Sequence, residues 1–174
     1  MPDQRLSYED SCERLKPQYI SDTPPMPDRM PGFDEESTGL AFFRTFVGEG
    51  DEFDNLTLPR TFFGRSEIND ASFRNTDLSE SYLCWNDFVD VDFTDADLSG
   101  ADLRGSIYTR VRFCACSLKG ADLRHSSFED CDFQGADLSG AILSRSQKQS
   151  LSLSPDQIDV IDWRWRSGPE PAGG

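Results

Sequence analysis

The sequence predicts an all-β fold, a solenoid in which four five-residue segments close each coil, and two periodicities predict it. The first is a step of five. From Leu58 to Leu143 every fifth residue is large and apolar, without a miss. A helix returns its apolar face every 3.6 residues and an ordinary strand every 2, so neither accounts for this step. The second is a step of twenty. Phe53, Phe73, Phe93, Phe113 and Phe133 form one series, and Leu58, Leu78, Leu98, Leu118 and Leu138 the next. Phe63, Leu83, Leu103, Leu123 and Leu143 form the third, and Ile68, Phe88, Tyr108 and Phe128 the fourth. Like stacks on like when four segments complete a coil and the next lies about 4.8 Å further along, at strand spacing.

A second position in each five is also restricted. Two residues before each centre from Phe63 onward stands a small or slim residue, such as Thr61, Ala71, Val91, Ala101, Cys116 or Ala141. The other three are mostly polar or glycine. Two side chains in five therefore point inward and three outward.

The elements follow in chain order. Residues 1–38 are rich in proline and charge and predict an extended or disordered segment, tied down only by contacts made elsewhere. Residues 39–60 turn aromatic and predict an N-terminal cap with a first strand. There Ala41-Phe42-Phe43-Arg44-Thr45 reads as an early repeat in phase with the rest, until Gly48 breaks the register. Residues 61–145 form the β-helix of about four coils, roughly 20 Å of shaft. Residues 146–167 predict a C-terminal cap, because a stacked solenoid needs its raw apolar ends covered. In it Ser154-Pro155-Asp156-Gln157 carries a capping box with proline at the first helical position. Ile158, Val160, Ile161 and Trp163 then supply an apolar surface for the last coil. Residues 168–174 predict a loose tail.

Ala96-Asp97-Leu98, Ala101-Asp102-Leu103, Ala121-Asp122-Leu123 and Ala136-Asp137-Leu138 match the A-[DN]-L-x-x consensus of the pentapeptide-repeat family, which residues 61–145 resemble. The resemblance implies a right-handed quadrilateral β-helix, with the central Leu or Phe and the small residue two before it inside a square shaft. It also implies a functional class. Some members protect DNA gyrase by presenting an acidic, duplex-like rod, and others accompany toxin or antibiotic loci as self-protection.

Catalytic chemistry has no foothold. The single histidine, His125, points outward by phase with no carboxylate placed to orient it. Cys114 faces outward and Cys116 inward, so they make no metal pair. Gly100, Gly105, Gly120, Gly135 and Gly140 occupy coil corners rather than a phosphate loop. The reading is a non-enzyme with no cofactor and no metal.

A net charge of −15 argues against direct nucleic-acid binding. No apolar run approaches a membrane span. The chain opens without a signal-peptide pattern, and five cysteines lack metal spacing, which together predict a cytoplasmic protein.

Function then rests on outward residues. Asp87, Asp90, Asp92 and Asp95 form an acidic run, with Asp130 and Asp132 on the same faces two coils later. Arg110 and Arg112 fall in the coil between, as charge relief for the acidic layers or as a break in them. Phe62, Tyr82 and Trp85 share one face out of the inward phase, either covered by residues 40–56 or free as a docking patch.

The leading reading is a protein-binding protective or immunity-type factor. It grips a toxin, or shields the toxin's target, through the acidic face and the aromatic patch. The alternative is a DNA-mimicking modulator of DNA gyrase or another basic DNA-binding protein. A shaft of roughly 20 Å matches only about six base pairs, so mimicry requires a dimer. Trp163 and Trp165 in the C-terminal cap serve either as that homodimer interface or as the cap alone.

Overall fold

The computed structural model describes residues 4–32, 34–48 and 53–165. Its strands are short and all parallel: β1 (Ala41–Phe43), β2 (Phe46–Val47), β3 (Phe62–Gly64), β4 (Glu67–Asn69), β5 (Asp87–Val89), β6 (Ile107–Thr109), β7 (Ser127–Glu129), β8 (Ile142–Ser144) and β9 (Asp162–Arg164). Five of them, β2-β4-β5-β6-β7, stack into one sheet, while β1 pairs with β3 and β8 with β9. Isolated bridges such as Asp77↔Asp97 and Asp92↔Arg112 carry the twenty-residue register around the other faces. The predicted β-solenoid is present, with its inward residues buried as the five-step requires.

The shaft interior is a set of stacked columns. On the first face, rings stack at 4.6 Å for Phe53–Phe73, 5.2 Å for Phe73–Phe93, 5.6 Å for Phe93–Phe113 and 4.9 Å for Phe113–Phe133. On the fourth face Phe88, Tyr108 and Phe128 stack at 5.0 Å. The two columns meet edge to face, as in Phe88–Phe93 at 5.8 Å and 64°. This geometry satisfies the ring quadrupoles as well as burying area. The leucine columns of the second and third faces complete the square.

Corners come at a fixed place, two residues after each centre, where the backbone turns through positive φ. Glycine was the residue expected there, and it fills five of these corners. Fourteen others, among them Asn55, Asp90, Arg110, Trp85 and His125, take φ between 51° and 63°.

Three expectations are corrected. The shaft has about six turns rather than four, because residues 40–48, 53–60 and 142–164 continue the stack beyond the clean repeats. Next, Ala41–Thr45 is one residue out of phase. Phe42, not Phe43, points inward and pairs with Phe63, an offset of 21 where later coils have 20. Val47 pairs with Ile68 at the same offset of 21, whereas Phe53 stacks on Phe73 at 20.

The third correction concerns residues 4–32, which are neither loose nor disordered. Ser7 caps a helix, α1 (Tyr8–Leu15), whose Cys12 and Leu15 are buried against the shaft end. Tyr19 then closes the lumen, its ring 5.8 Å from Phe42 and 5.5 Å from Phe53. The coil's outward-facing backbone groups are met as well. Leu6 N donates to Asn55 O at 2.7 Å, and Thr57 N donates to Ser11 Oγ at 2.8 Å.

The far end is closed by two glutamines. After β8 a 3₁₀ turn (Arg145–Ser150) replaces the strand of the fourth face. Gln147 accepts from Ser144 N and donates to Leu123 O and Ser126 O. Ten residues later α2 (Pro155–Val160) starts at Ser154 with the expected capping box, and Gln157 donates to Phe133 O and Ala136 O. Each amide satisfies carbonyls that a further coil would have met. Ile161 is buried there, but Val160 faces solvent, contrary to expectation. The predicted tail, 168–174, lies outside the described residues.

Candidate partner-binding surfaces

The acidic residues do not share one plane. Asp87 and Asp90 project from the fourth face and its corner, Asp92 from the first face, and Asp95 from the corner beyond it. Asp130 stacks in the column of Asp90, and Asp132 in that of Asp92. The run therefore wraps an edge of the square shaft. Two of its members have a structural task. Asp92 accepts from Thr94 N, and Asp132 from Gln134 N, both at 2.9 Å, closing the turn that follows each. Asp87, Asp95 and Asp130 are exposed and carry no ion pair among the described residues.

Arg110 stands in the middle of this edge. Its Nε and Nη2 each donate to the Asp90 carboxylate at 2.7 Å, a bidentate fork. Arg112 reaches Asp92 only at 3.8 Å and stays largely in solvent. The Arg110 hydrogen bonds hold the Asp90 carboxyl below its ordinary range. The Arg110→Gln variant is expected to return the Asp90 titration midpoint upward, read by carboxyl NMR. Because the folded value is depressed, the pair's small stabilisation is present above the unfolded pKa and lost as pH falls through the folded one. An unmoved midpoint would remove Arg110 from its assigned role.

The aromatic residues do come together. Phe62 and Tyr82 meet edge to face at 6.4 Å on the third face, with Trp85 at the adjoining corner. Phe43, placed inside by the mistaken phase, joins them with 57 % of its surface exposed. The described residues of 40–56 line this patch at Ala41 and Phe43 and leave it open. Residues 31–32 and 34–37 instead run alongside it, held where Tyr82 Oη donates to Pro31 O at 3.0 Å. Between that wall and the shaft lies a half-open groove of about 780 Å³, lined chiefly by apolar atoms of Phe43, Phe62, Tyr82 and Trp85.

Trp85 is the most unusual residue of the groove. It holds φ at 61° and leaves 66 % of its surface exposed. A bulky side chain is rare in that backbone region. Gly105, one coil on, makes room for it. A Cβ there would fall 2.8–3.0 Å from three atoms of the indole ring. Nearby Cys84 is half-buried, and burial pushes its thiol up to about 11, so it offers no nucleophile at neutral pH. From the groove onward the third face is a ladder of Asp–Arg pairs, Asp102–Arg104 on the groove wall and then Asp122–Arg124 and Asp162–Arg164. His125 projects from the same corner column as Trp85. Among the described residues no group of three or more His, Cys, Asp or Glu is gathered to hold a metal ion. No helix among them is long and apolar enough to cross a membrane.

A family model described as pentapeptide repeats matches residues 55–105 and 109–145 in eight copies. Among solved structures the chain is similar to HetL, a pentapeptide repeat protein involved in heterocyst differentiation regulation from the cyanobacterium Nostoc sp. strain PCC 7120. That likeness has 20 % identity and a TM-score of 0.56, covering 59 % of this chain and 48 % of that one. The chain thus spans about half the length of HetL, and the likeness speaks to the fold alone. A pentapeptide repeat protein of the Arabidopsis thaliana thylakoid lumen matches at 26 % identity and a TM-score of 0.47, over 68 % of this chain and 78 % of that one. QnrB1, a plasmid-mediated fluoroquinolone resistance protein, matches at 19 % identity and a TM-score of only 0.22, over 60 % and 72 %. No curated protein sequence matches the chain.

Proposed function

The chain belongs to the pentapeptide-repeat family, and from that premise we propose a non-catalytic protein that acts by binding another protein. In this reading it is a protective or immunity-type factor that grips a toxin or shields the toxin's target. The observation that carries the reading is the exposed aromatic groove of the third face. Trp and Tyr in a concave, rigidly backed patch are the side chains that anchor protein interfaces. The acidic edge at Asp87, Asp90 and Asp95 steers a basic partner toward the shaft. Five free cysteines suit a reduced, cytoplasmic setting.

The DNA-mimicking alternative gains length from the corrected coil count. Six turns span about 29 Å at strand spacing, or about eight base pairs. It loses continuity, because Arg110 breaks the acid ladder and locks Asp90. A homodimer through the C-terminal end is an accessory proposal, resting on exposed Val160 and Trp165.

The test is capture of the partner from the native host, followed by two variants. Trp85→Asn, which suits the left-handed corner, is expected to speed dissociation with little salt dependence. Charge reversal of Asp87, Asp90 and Asp95 to Lys is expected to slow association and remove its salt dependence. Undiminished binding by both variants would sink the reading.

A further inference from the structure

The third-face groove also has the features of a small-molecule site, and we infer that it binds a flat aromatic ligand carrying an anionic group. This inference uses the groove of the preceding proposal but needs no protein partner. Volume is the first argument, since about 780 Å³ lies within the range of small-molecule sites.

The second argument is the presentation of Trp85. Its ring lies over Gly105 with three ring atoms nearly equidistant from the missing Cβ, so one face is backed by main chain. Trp85 nevertheless keeps 66 % of its surface exposed and lines the groove. Other corners in the described shaft carry Asn, Asp, Arg, Glu, Ala, His or Gly, which tolerate positive φ better or cover less area. A strained, exposed indole with a glycine cleared beneath it gains nothing for folding, and such residues cluster at ligand sites. What it offers is a stacking platform. Phe62 is seated in the same manner over Gly64, where a Cβ would stand 2.7 Å from its ring.

The third argument is polar. Arg65 occupies the corner position one coil before Trp85 and has no ion pair among the described residues. The groove carboxylates Glu35 and Asp102 are taken up by Arg29 and Arg104 at 2.9 Å and 2.7 Å. Glu36 is exposed and has no ion pair among the described residues. The Ser37 hydroxyl, also on the groove wall, is buried without a hydrogen-bond partner among the described residues. A guanidinium and an orphan hydroxyl beside an apolar ring platform complement an aromatic anion.

The probe is 8-anilinonaphthalene-1-sulfonate, titrated into the full chain by fluorescence and calorimetry, with N-phenyl-1-naphthylamine as its neutral analogue. One saturable site is expected for the sulfonate. Gly105→Ala is expected to weaken it about tenfold or more, because the new methyl lifts the indole. Gly120→Ala is the control. Gly120 has nearly the same φ, 65°, but no atom within 4 Å of its Cβ position, so it imposes the backbone strain without the displacement. Trp85→Asn, with a residue that tolerates the left-handed corner, is expected to keep the fold and to lose the site as Gly105→Ala does. Arg65→Met should weaken the sulfonate and leave the neutral analogue unchanged. The inference is overturned if Trp85→Asn binds like the wild type, if Gly120→Ala loses as much as Gly105→Ala, or if Arg65→Met treats both probes alike.

Discussion

Phe93→Ala is expected to cost about 3–5 kcal/mol, the usual loss for a fully buried phenylalanine. Phe93 sits midway in the first-face column, stacked on Phe73 and Phe113 and meeting Phe88 edge to face, with no exposure to solvent. Its removal opens a void that the stack cannot close, because neighbouring coils are held at strand spacing by backbone hydrogen bonds. In a solenoid each coil leans only on its neighbours. The loss should therefore lower the melting temperature and uncouple the two halves of the shaft. Glu129→Gln, exposed on β7, is the control and should stay within about 0.5 kcal/mol. Equal melting temperatures for the two variants would refute the inward assignment of the five-step.

Removal of residues 1–20 is expected to rival that effect. It takes away Cys12, Leu15 and Tyr19, each packed on the first coil, and bares Phe42, Val47 and Phe53. At about 1.5–3 kcal/mol for each large buried side chain, the loss is on the order of 5 kcal/mol. It should fall locally. Hydrogen exchange ought to show residues 40–60 unprotected while the coils around Phe93 and Phe113 keep their protection. The bared end should also make the protein aggregate. A truncated chain with unchanged melting and unchanged exchange would show that the helix is an ornament rather than a cap.

The N-terminal helix shows where reading the chain alone fell short. Cys12, Leu15 and Tyr19 lie at helical spacing after Ser7, a capping residue whose side chain accepts from Asp10 N. That signal was present but faint beside the surrounding prolines and charges. The helix also draws its stability from the shaft end it covers, and a partner of that kind cannot be read locally. Gln147 repeats the lesson. Ser144-Arg145-Ser146-Gln147 has the same capping pattern as Ser154–Gln157, yet it follows the last clean repeat without a break and hides in its register.

The aromatic groove divides in the same way. Phe62, Tyr82 and Trp85 were legible as outward residues sharing a face, because the twenty-residue period places them there. Phe43 was not, since an offset of 21 in place of 20 reverses which of Phe42 and Phe43 points inward. Nor was the wall at Pro31, Gly32 and Glu35–Ser37, which no periodicity marks.

The sequence by itself determined the solenoid, its four columns and the outward position of Asp90, Arg110 and Trp85. It could do so because each five-residue step makes the same demand for one large and one small inward residue, repeated until chance is excluded. Only the tertiary structure decided how the ends are closed, that Arg110 grips Asp90, and that the segment carrying Pro31, Glu35 and Ser37 turns an aromatic patch into a groove. Those outcomes depend on contacts between segments far apart in the chain, where no local pattern constrains the partner and packing alone selects it.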